Sequence, residues 1–448
     1  MTQSATQSAS EHQNKYIRAW NKFWFTPTSP LPMALFRIIF GIVLLENCMV
    51  HLYPDFDIFY LKESIIPIKD MMSLYWHKDP LFDVLVLLPP DDRYMWGAFW
   101  VLVGSIVCMI LGLFTRVSTW AVYLLLMSFS SHFELNQNAG DNYLRIAALC
   151  MALSNCGDAI SLDSLFRSFR RDWRIEGFQA PWTAPWAQRL LQIQLCIAYA
   201  HTWFCKMEGP NWNDGTAVYY AVRYDDLMRF PIPHFLDQLP IYMVLTWGTL
   251  FVEFILWNFI WWRKTRYWVI LLGISLHLGI EYTMNLPMFE WVFMFTYLLF
   301  VYPEDLTRVW DMVKARMVQK YGQAHQVIYS DRSPVSVKIV SVIASLDVFG
   351  RFRGVSFDEL ATNTAAGPNI AESDLEGQVI VMDKNKMLKG YDAFKYLAWR
   401  MPLLWILSPF IHWPLFSLIG QIIFKVFASI KYTLFGENKK YTLQSSQS

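Results

Sequence analysis

Apolar blocks recur along the first three hundred residues, each near the roughly 20 residues that a helix needs to cross a bilayer. Short polar or basic stretches separate them. They fall at about 33–53, 94–114, 118–136, 143–160, 187–206, 240–262, 267–284 and 287–303. In hydrocarbon every backbone polar group needs an internal partner, so such blocks fold as helices. The chain is 54% hydrophobic and 17% aromatic, more apolar than a water-soluble globule. This predicts a polytopic α-helical membrane protein of about eight spans. The fourth block is the weakest, because it carries Arg145, Asn155 and Asp158.

Basic residues follow every second block. Lys15, Arg18 and Lys22 precede the first, and Arg116 follows the second. Arg167, Arg170, Arg171 and Arg174 follow the fourth, Arg263, Lys264 and Arg266 the sixth, and Arg308, Lys314 and Arg316 the eighth. The positive-inside rule makes these loops cytoplasmic and places both termini inside, as in a bacterial inner membrane. A net charge of +1 argues against nucleic acid as a partner. The six cysteines lie in or beside the blocks, at positions 48 to 205, with no metal-site spacing or disulfide framework. Residues 1–14 read as a disordered polar start without a cleavable signal peptide. Residues 15–25 mix basic and aromatic side chains at helical spacing and predict a helix lying on the membrane surface.

Several polar groups gather toward the outer ends of the blocks. Lys206 closes the fifth. A lysine there either snorkels to the interface or, held in an apolar pocket, serves as a base near neutral pH. His277 and Glu281 lie one turn apart in the seventh block. The loop around Asp141, Asn142 and Tyr143 either lines a cavity or is a solvated turn. Arg37, Glu46 and Glu253 are further costly groups needing partners, and Arg37 could equally snorkel inward. A transporter would bury such groups too, but neither an internal repeat nor an arginine ladder is apparent.

Four stretches occur in a familiar order. They are Leu35-Phe36-Arg37-Ile38-Ile39-Phe40-Gly41, then Asn138-Ala139-Gly140-Asp141-Asn142-Tyr143-Leu144-Arg145, then Lys206 through Gly209, Trp212, Asp214 and Gly215 to Tyr219-Tyr220, and His277-Leu278-Gly279-Ile280. Together they resemble the horizontally transferred transmembrane (HTTM) domain, shared with vitamin K-dependent γ-glutamyl carboxylase, over about 16–305. In that carboxylase a lysine deprotonates reduced vitamin K. The product reacts with oxygen to give a strong base, which takes a γ-proton from a peptide glutamate before carbon dioxide adds. The resemblance implies that Lys206 is the base, that His277 and Asp141 are near the pocket, and that Asn142, Tyr143, Trp212 and Glu281 line it. The carboxylase has a histidine at the Asp141 position and a Lys-to-Trp spacing one residue shorter. It also has a large extracytoplasmic propeptide-binding region without a counterpart here. These departures bear on peptide carboxylation more than on the quinol–oxygen chemistry.

After about residue 320 the pattern changes. A strand at Gln326–Tyr329, a helix at 335–346, a strand near 351–357, a hairpin at 379–389 and a helix near 391–400 are predicted. This β-α-β…β-β-α order is that of a cytoplasmic α/β thioredoxin-like domain. It resembles the DCC family of thiol-disulfide oxidoreductase-like proteins, whose Cys-x-x-Cys positions here hold Ser333 and Ser336. Serine does not cycle through a disulfide, so the domain is expected to be redox-dead. Residues 400–432 read as amphipathic helices interrupted by Pro402, Pro409 and Pro414, with a ninth span as the alternative.

The expected domains are 1–14, 15–305, a linker helix 306–323, the DCC-like domain 324–440 and a tail 441–448. The expected function is that of a membrane enzyme in which Lys206 acts on a reduced quinone, with oxygen and carbon dioxide, to modify an exported peptide or a lipid. The competing expectation is a non-enzymatic scaffold or maturation factor for an exported peptide, with a transporter third. No metal site is expected.

Overall fold

The computed structural model describes residues 14–65, 83–89, 91–132, 139–169, 181–286, 288–321, 325–331, 333–347, 349–359, 379–383, 386–401, 404–405, 408–414 and 417–422. The expected disordered start, residues 133–138, the polar stretch 361–376 and the C-terminal tail fall outside these residues, whereas Asp141, Asn142 and Tyr143, expected in a loop, are helical. The chain divides into two compact units, residues 1–164 with 180–303, and residues 165–179 with 304–448.

The first unit is a helix bundle. Its main helices are α1 (Lys15–Phe25), α2 (Leu31–Glu46), α3 (Asp92–Leu111), α4 (Thr115–His132), α5 (Ala139–Leu153), α6 (Trp186–Met207), α7 (Leu239–Phe259), α8 (Arg266–Thr283) and α9 (Phe289–Thr296). Helices α2 to α9 fall on the eight apolar blocks. The fourth helix starts earlier and ends earlier than expected, at 139–153. Among the described residues three segments, Leu31–Leu52, Asp92–Leu111 and Leu239–Phe259, are long and apolar enough to cross a membrane. In the others the polar residues lower the hydropathy: Gln188, Arg189, Gln192 and Lys206 in α6, for example, and Arg266, His277 and Glu281 in α8. Helix α1 is amphipathic with exposed Tyr16 and Trp20, and its Asn14 side chain accepts from the Tyr16 N–H.

Helix α9 is short, but it packs against α2, α5, α6 and α8 at the centre of the bundle. After Thr296 it tightens into a 3-10 turn, Tyr297–Phe300. Helix α2 instead widens into a π turn, Asn47–Leu52. Phe36, Phe40, Leu44, Phe99, Leu102 and Ile106 are buried between α2 and α3 and form much of the surrounding core.

The ends of α2 and α3 meet the segment after α5. Arg37 is fully buried and donates to the carbonyls of Cys156 (2.7 Å) and Ile160, so it does not snorkel. Asp163 accepts from the backbone N–H groups of Phe114 (2.9 Å) and Thr115 (2.6 Å) and caps α4. Between them Gly112 turns at φ +67°, and a Cβ there would meet Ser161 Cβ at 2.3 Å. Both the backbone and the space therefore require glycine.

In the second unit α10 (Pro303–Tyr321) leads into β1 (His325–Tyr329), α11 (Pro334–Leu346), β2 (Phe352–Ser356), β3 (Ile380–Asp383), β4 (Lys386–Lys389), α12 (Gly390–Arg400) and α13 (Ser408–His412). The strand order is β2-β1-β3-β4, with β1 parallel to β2 and antiparallel to β3. The β3–β4 hairpin pairs Ile380 with Lys389 and Asp383 with Lys386. Val327, Val340, Val381 and Leu397 close one core over the sheet. The βαβ–ββα order matches the expectation. Within 400–422 the described residues include the short helix Ser408–His412 and a helical piece at 417–422, and the rest of the alternative ninth span lies outside them.

Gly112→Ala is expected to lower stability by about 1–3 kcal/mol. Thermal unfolding of the purified protein in detergent checks this, and an unchanged midpoint would contradict the close approach to Ser161.

Candidate functional site

The central helix carries the most demanding side chain. Glu290 opens α9 and has no exposed surface. An isolated carboxylate there would be prohibitively desolvated, so a partner is required. His277, buried on α8, provides it through an Nδ1···Oε2 contact. The other imidazole nitrogen, Nε2, meets the Tyr199 hydroxyl of α6 at 2.5 Å. Tyr199 in turn meets the Tyr297 hydroxyl at 2.5 Å. Phe293, one turn after Glu290, stacks on His277 (5.7 Å) and on Tyr143 of α5 (4.8 Å). A buried relay of Glu290, His277, Tyr199 and Tyr297 thus spans three helices and the 3-10 turn.

Gln192, Tyr199 and Lys206 follow one another at seven-residue intervals along α6 and so share a face. At the far end of that face Lys206 Nζ donates to Glu253 Oε1 of α7. It also lies over the Trp212 ring, 5.1 Å from its centroid. The Lys206 side chain is 24% exposed and that of Glu253 is 8% exposed. The lysine is therefore not a bare amine in an apolar pocket. It is half of an ion pair at the rim of the bundle, with the carboxylate as the buried half. Glu253 is within electrostatic reach of His277, and Glu290 is within reach of Lys206. The pair and the relay form one electrostatic group.

Two polar atoms near the pair have no hydrogen-bond partner. They are Glu253 Oε2 and, one turn further along α7, Trp257 Nε1. One is an acceptor and the other a donor, and each is costly to leave unmade. Around them Phe204, Phe254 and Trp257 make an aromatic wall, with Phe254 and Trp257 edge-to-face at 5.6 Å. A ligand with an aromatic ring and a hydroxyl group matches that donor set.

The remaining sequence-predicted residues lie elsewhere. Asp141 lines a separate cavity of about 120 Å³ with Asn47, Cys48, His51 and Tyr60. Asn142 accepts from Arg145 of its own helix. Glu281 follows His277 by one turn, yet it pairs with Arg229 and accepts from Trp291 Nε1 at 3.3 Å. The i, i+4 spacing of His277 and Glu281 therefore does not make them partners. Tyr199, Glu290 and Tyr297 were not singled out by the sequence. Glu290 lies near the start of the eighth block, where no neighbouring polar residue marks it, and tyrosines are abundant in such chains. Among the described residues no group of three or more His, Cys, Asp or Glu could hold a metal ion.

In the second unit Ser333 is the N-cap of α11, its hydroxyl accepting from the Ser336 N–H, and Ser336 is fully buried. The serine keeps the capping role at a helix start without supplying a thiol.

The model of the HTTM domain family matches residues 25–304. The chain belongs to the HTTM family. A second family model, the DCC1-like thiol-disulfide oxidoreductase, matches residues 327–437. No curated protein and no solved structure matches the chain. The HTTM match covers α2 to α9, and so every residue of the relay and of the Lys206–Glu253 pair.

Glu290→Ala is expected to cost roughly 3–5 kcal/mol, because it strands the His277 end of the relay in the core. Glu290→Gln retains a hydrogen-bonding group and is expected to cost less than half as much. Chemical denaturation in lipid nanodiscs separates the two, and equal losses would show that the carboxylate is not what His277 requires.

Proposed function

We propose that the first unit is a membrane enzyme of the carboxylase-like class, in which the Lys206–Glu253 pair accepts a proton from a phenolic hydroxyl of a reduced quinone. The observation that carries this reading is the orphaned Glu253 Oε2 beside the Lys206 amine in an aromatic wall. In this reading the free Oε2 of Glu253 takes the hydroxyl proton: the quinol O–H bond breaks, a carboxyl O–H bond forms, and the Lys206 ammonium, which donates to Oε1, stabilises the phenolate left behind. Trp212 covers the amine and limits access of water. Glu253 Oε2 and Trp257 Nε1 would hold the ring through its hydroxyl and oxygen. In the related carboxylase, reduced vitamin K with oxygen supplies the strong base that carbon dioxide addition requires. The acceptor in this reading is an exported peptide or a lipid. The lysine lies at the outer face of an inner-membrane protein with both termini inside.

A second reading makes Lys206–Glu253 an interhelical staple in a scaffold for an exported peptide. It is favoured by the salt bridge itself and by the absence of any cysteine after Cys205, which leaves the second unit without thiol chemistry.

Quinol oxidation and oxygen consumption by protein in lipid test the first reading. Lys206→Met combined with Glu253→Gln removes the base without stranding a buried charge. It is expected to reduce turnover by about 100-fold or more, with the unfolding midpoint near that of wild type. Equal background rates in both proteins would overturn the enzymatic reading in favour of the staple.

A further inference from the structure

At the end of the bundle away from Lys206, three arginines converge with no carboxylate among them. Arg189 stands in the first turn of α6, Arg266 in the first turn of α8, and Arg263 in the turn before it. The guanidinium groups of Arg263 and Arg266 both lie over the Tyr302 ring, 4.8 Å and 4.1 Å from its centroid. Arg266 is within Coulombic range of both Arg189 and Arg263. Among the described residues no salt bridge includes any of the three.

This arrangement is unfavourable by itself. Like charges repel, and a helix N-terminus already carries positive partial charge. Arg266 is buried and offsets part of the cost by donating Nε to the Ile260 carbonyl and Nη2 to the Trp261 carbonyl, both at 3.0 Å. Arg189 donates Nη1 to Gln192 Oε1 at 2.9 Å, but its buried Nε has no partner. Two helix N-termini, three guanidiniums and an orphaned buried donor define the counterion as an anion with several acceptor oxygens.

The surroundings identify its source. Arg189 lies over the Phe23 ring at 4.9 Å, and Phe23 meets Trp261 at 5.9 Å. Trp262 and Trp268 are strongly exposed beside the cluster. The membrane-length helix α7 ends at Phe259, just before these residues. Exposed tryptophans and basic groups at the end of an apolar helix mark the headgroup level of a bilayer. We propose that Arg189, Arg263 and Arg266 form a binding site for the phosphodiester headgroup of an anionic phospholipid, with Phe23, Trp261 and Trp262 beside its glycerol and acyl chains. The assignment is independent of any reading of Lys206.

The full chain in detergent can be titrated with phosphatidylglycerol, phosphatidylcholine or inorganic phosphate, reading bound lipid by native mass spectrometry and the unfolding midpoint. Phosphatidylglycerol is expected to remain bound and to raise the midpoint, and phosphatidylcholine and phosphate are not. Arg266 also holds backbone carbonyls, so the diagnostic variants are Arg189→Gln and Arg263→Gln. Each is expected to weaken phosphatidylglycerol binding by roughly tenfold. Arg223→Gln, whose parent side chain pairs with Asp237 and lies over Tyr242 at the start of α7, the end opposite the cluster, is expected to leave binding unchanged. Equal binding of both lipids, an effect reproduced by phosphate, or unaltered binding in both diagnostic variants would each overturn the proposal.

Discussion

Glu290 occupies the centre of a helix bundle without contact with solvent, and His277 is the group that makes this position tenable. The rest of the first unit is arranged around that requirement. The imidazole has to face α9, which sets the rotation of α8. Its second nitrogen has to be satisfied, which draws in Tyr199 and with it α6. Tyr199 needs a further partner, which the 3-10 turn supplies as Tyr297. Gly273 has no side chain because the Tyr297 hydroxyl fills its place: a Cβ there would lie 2.5 Å from that oxygen. One buried carboxylate thus fixes the mutual placement of three helices and the turn that ends one of them.

Lys206 and Glu253 are governed by the same physics at the rim of the bundle. Their pair is less buried than His277–Glu290, and each pair leaves one carboxylate oxygen without a hydrogen-bond partner, Glu253 Oε2 at the rim and Glu290 Oε1 in the core. A group that is stable yet incompletely satisfied is where a ligand can gain affinity by completing the set. The two units differ in the same respect. The helix start at Ser333 is complete, with its hydroxyl engaged by the backbone, and it offers no comparable vacancy.

Much of the fold was legible because bilayer-length apolar blocks and βαβ–ββα periodicity are local signals. Lys206 and His277 stood out because each is expensive in an apolar helix, and Glu253 was recognised as needing a partner. What the sequence did not contain was the pairing. His277 and Glu281 are neighbours by spacing, but their side chains answer to Glu290 and Arg229, residues brought in by other helices. Asp141 was linked to the site by resemblance and lies instead in the cavity beside the π turn of α2. That turn widens the helix where Asn47, Cys48 and His51 face the cavity, a backbone irregularity without a proline or glycine to announce it. Arg37 was open between two fates, and the carbonyls exposed after α5 decided between them.

The tight turn after α9 leaves the Leu299 carbonyl without a helical donor, and Gln188 and Gln192 of α6 both donate to it at 2.7 Å. Helix α6 is therefore fastened to the same segment at two heights, by the glutamines at one level and by Tyr199 at the next. A rod clamped twice can neither slide nor turn about its own axis. Lys206 stands about two turns beyond the upper clamp, so the aim of that amine toward Glu253 follows from how the clamps hold the helix axis.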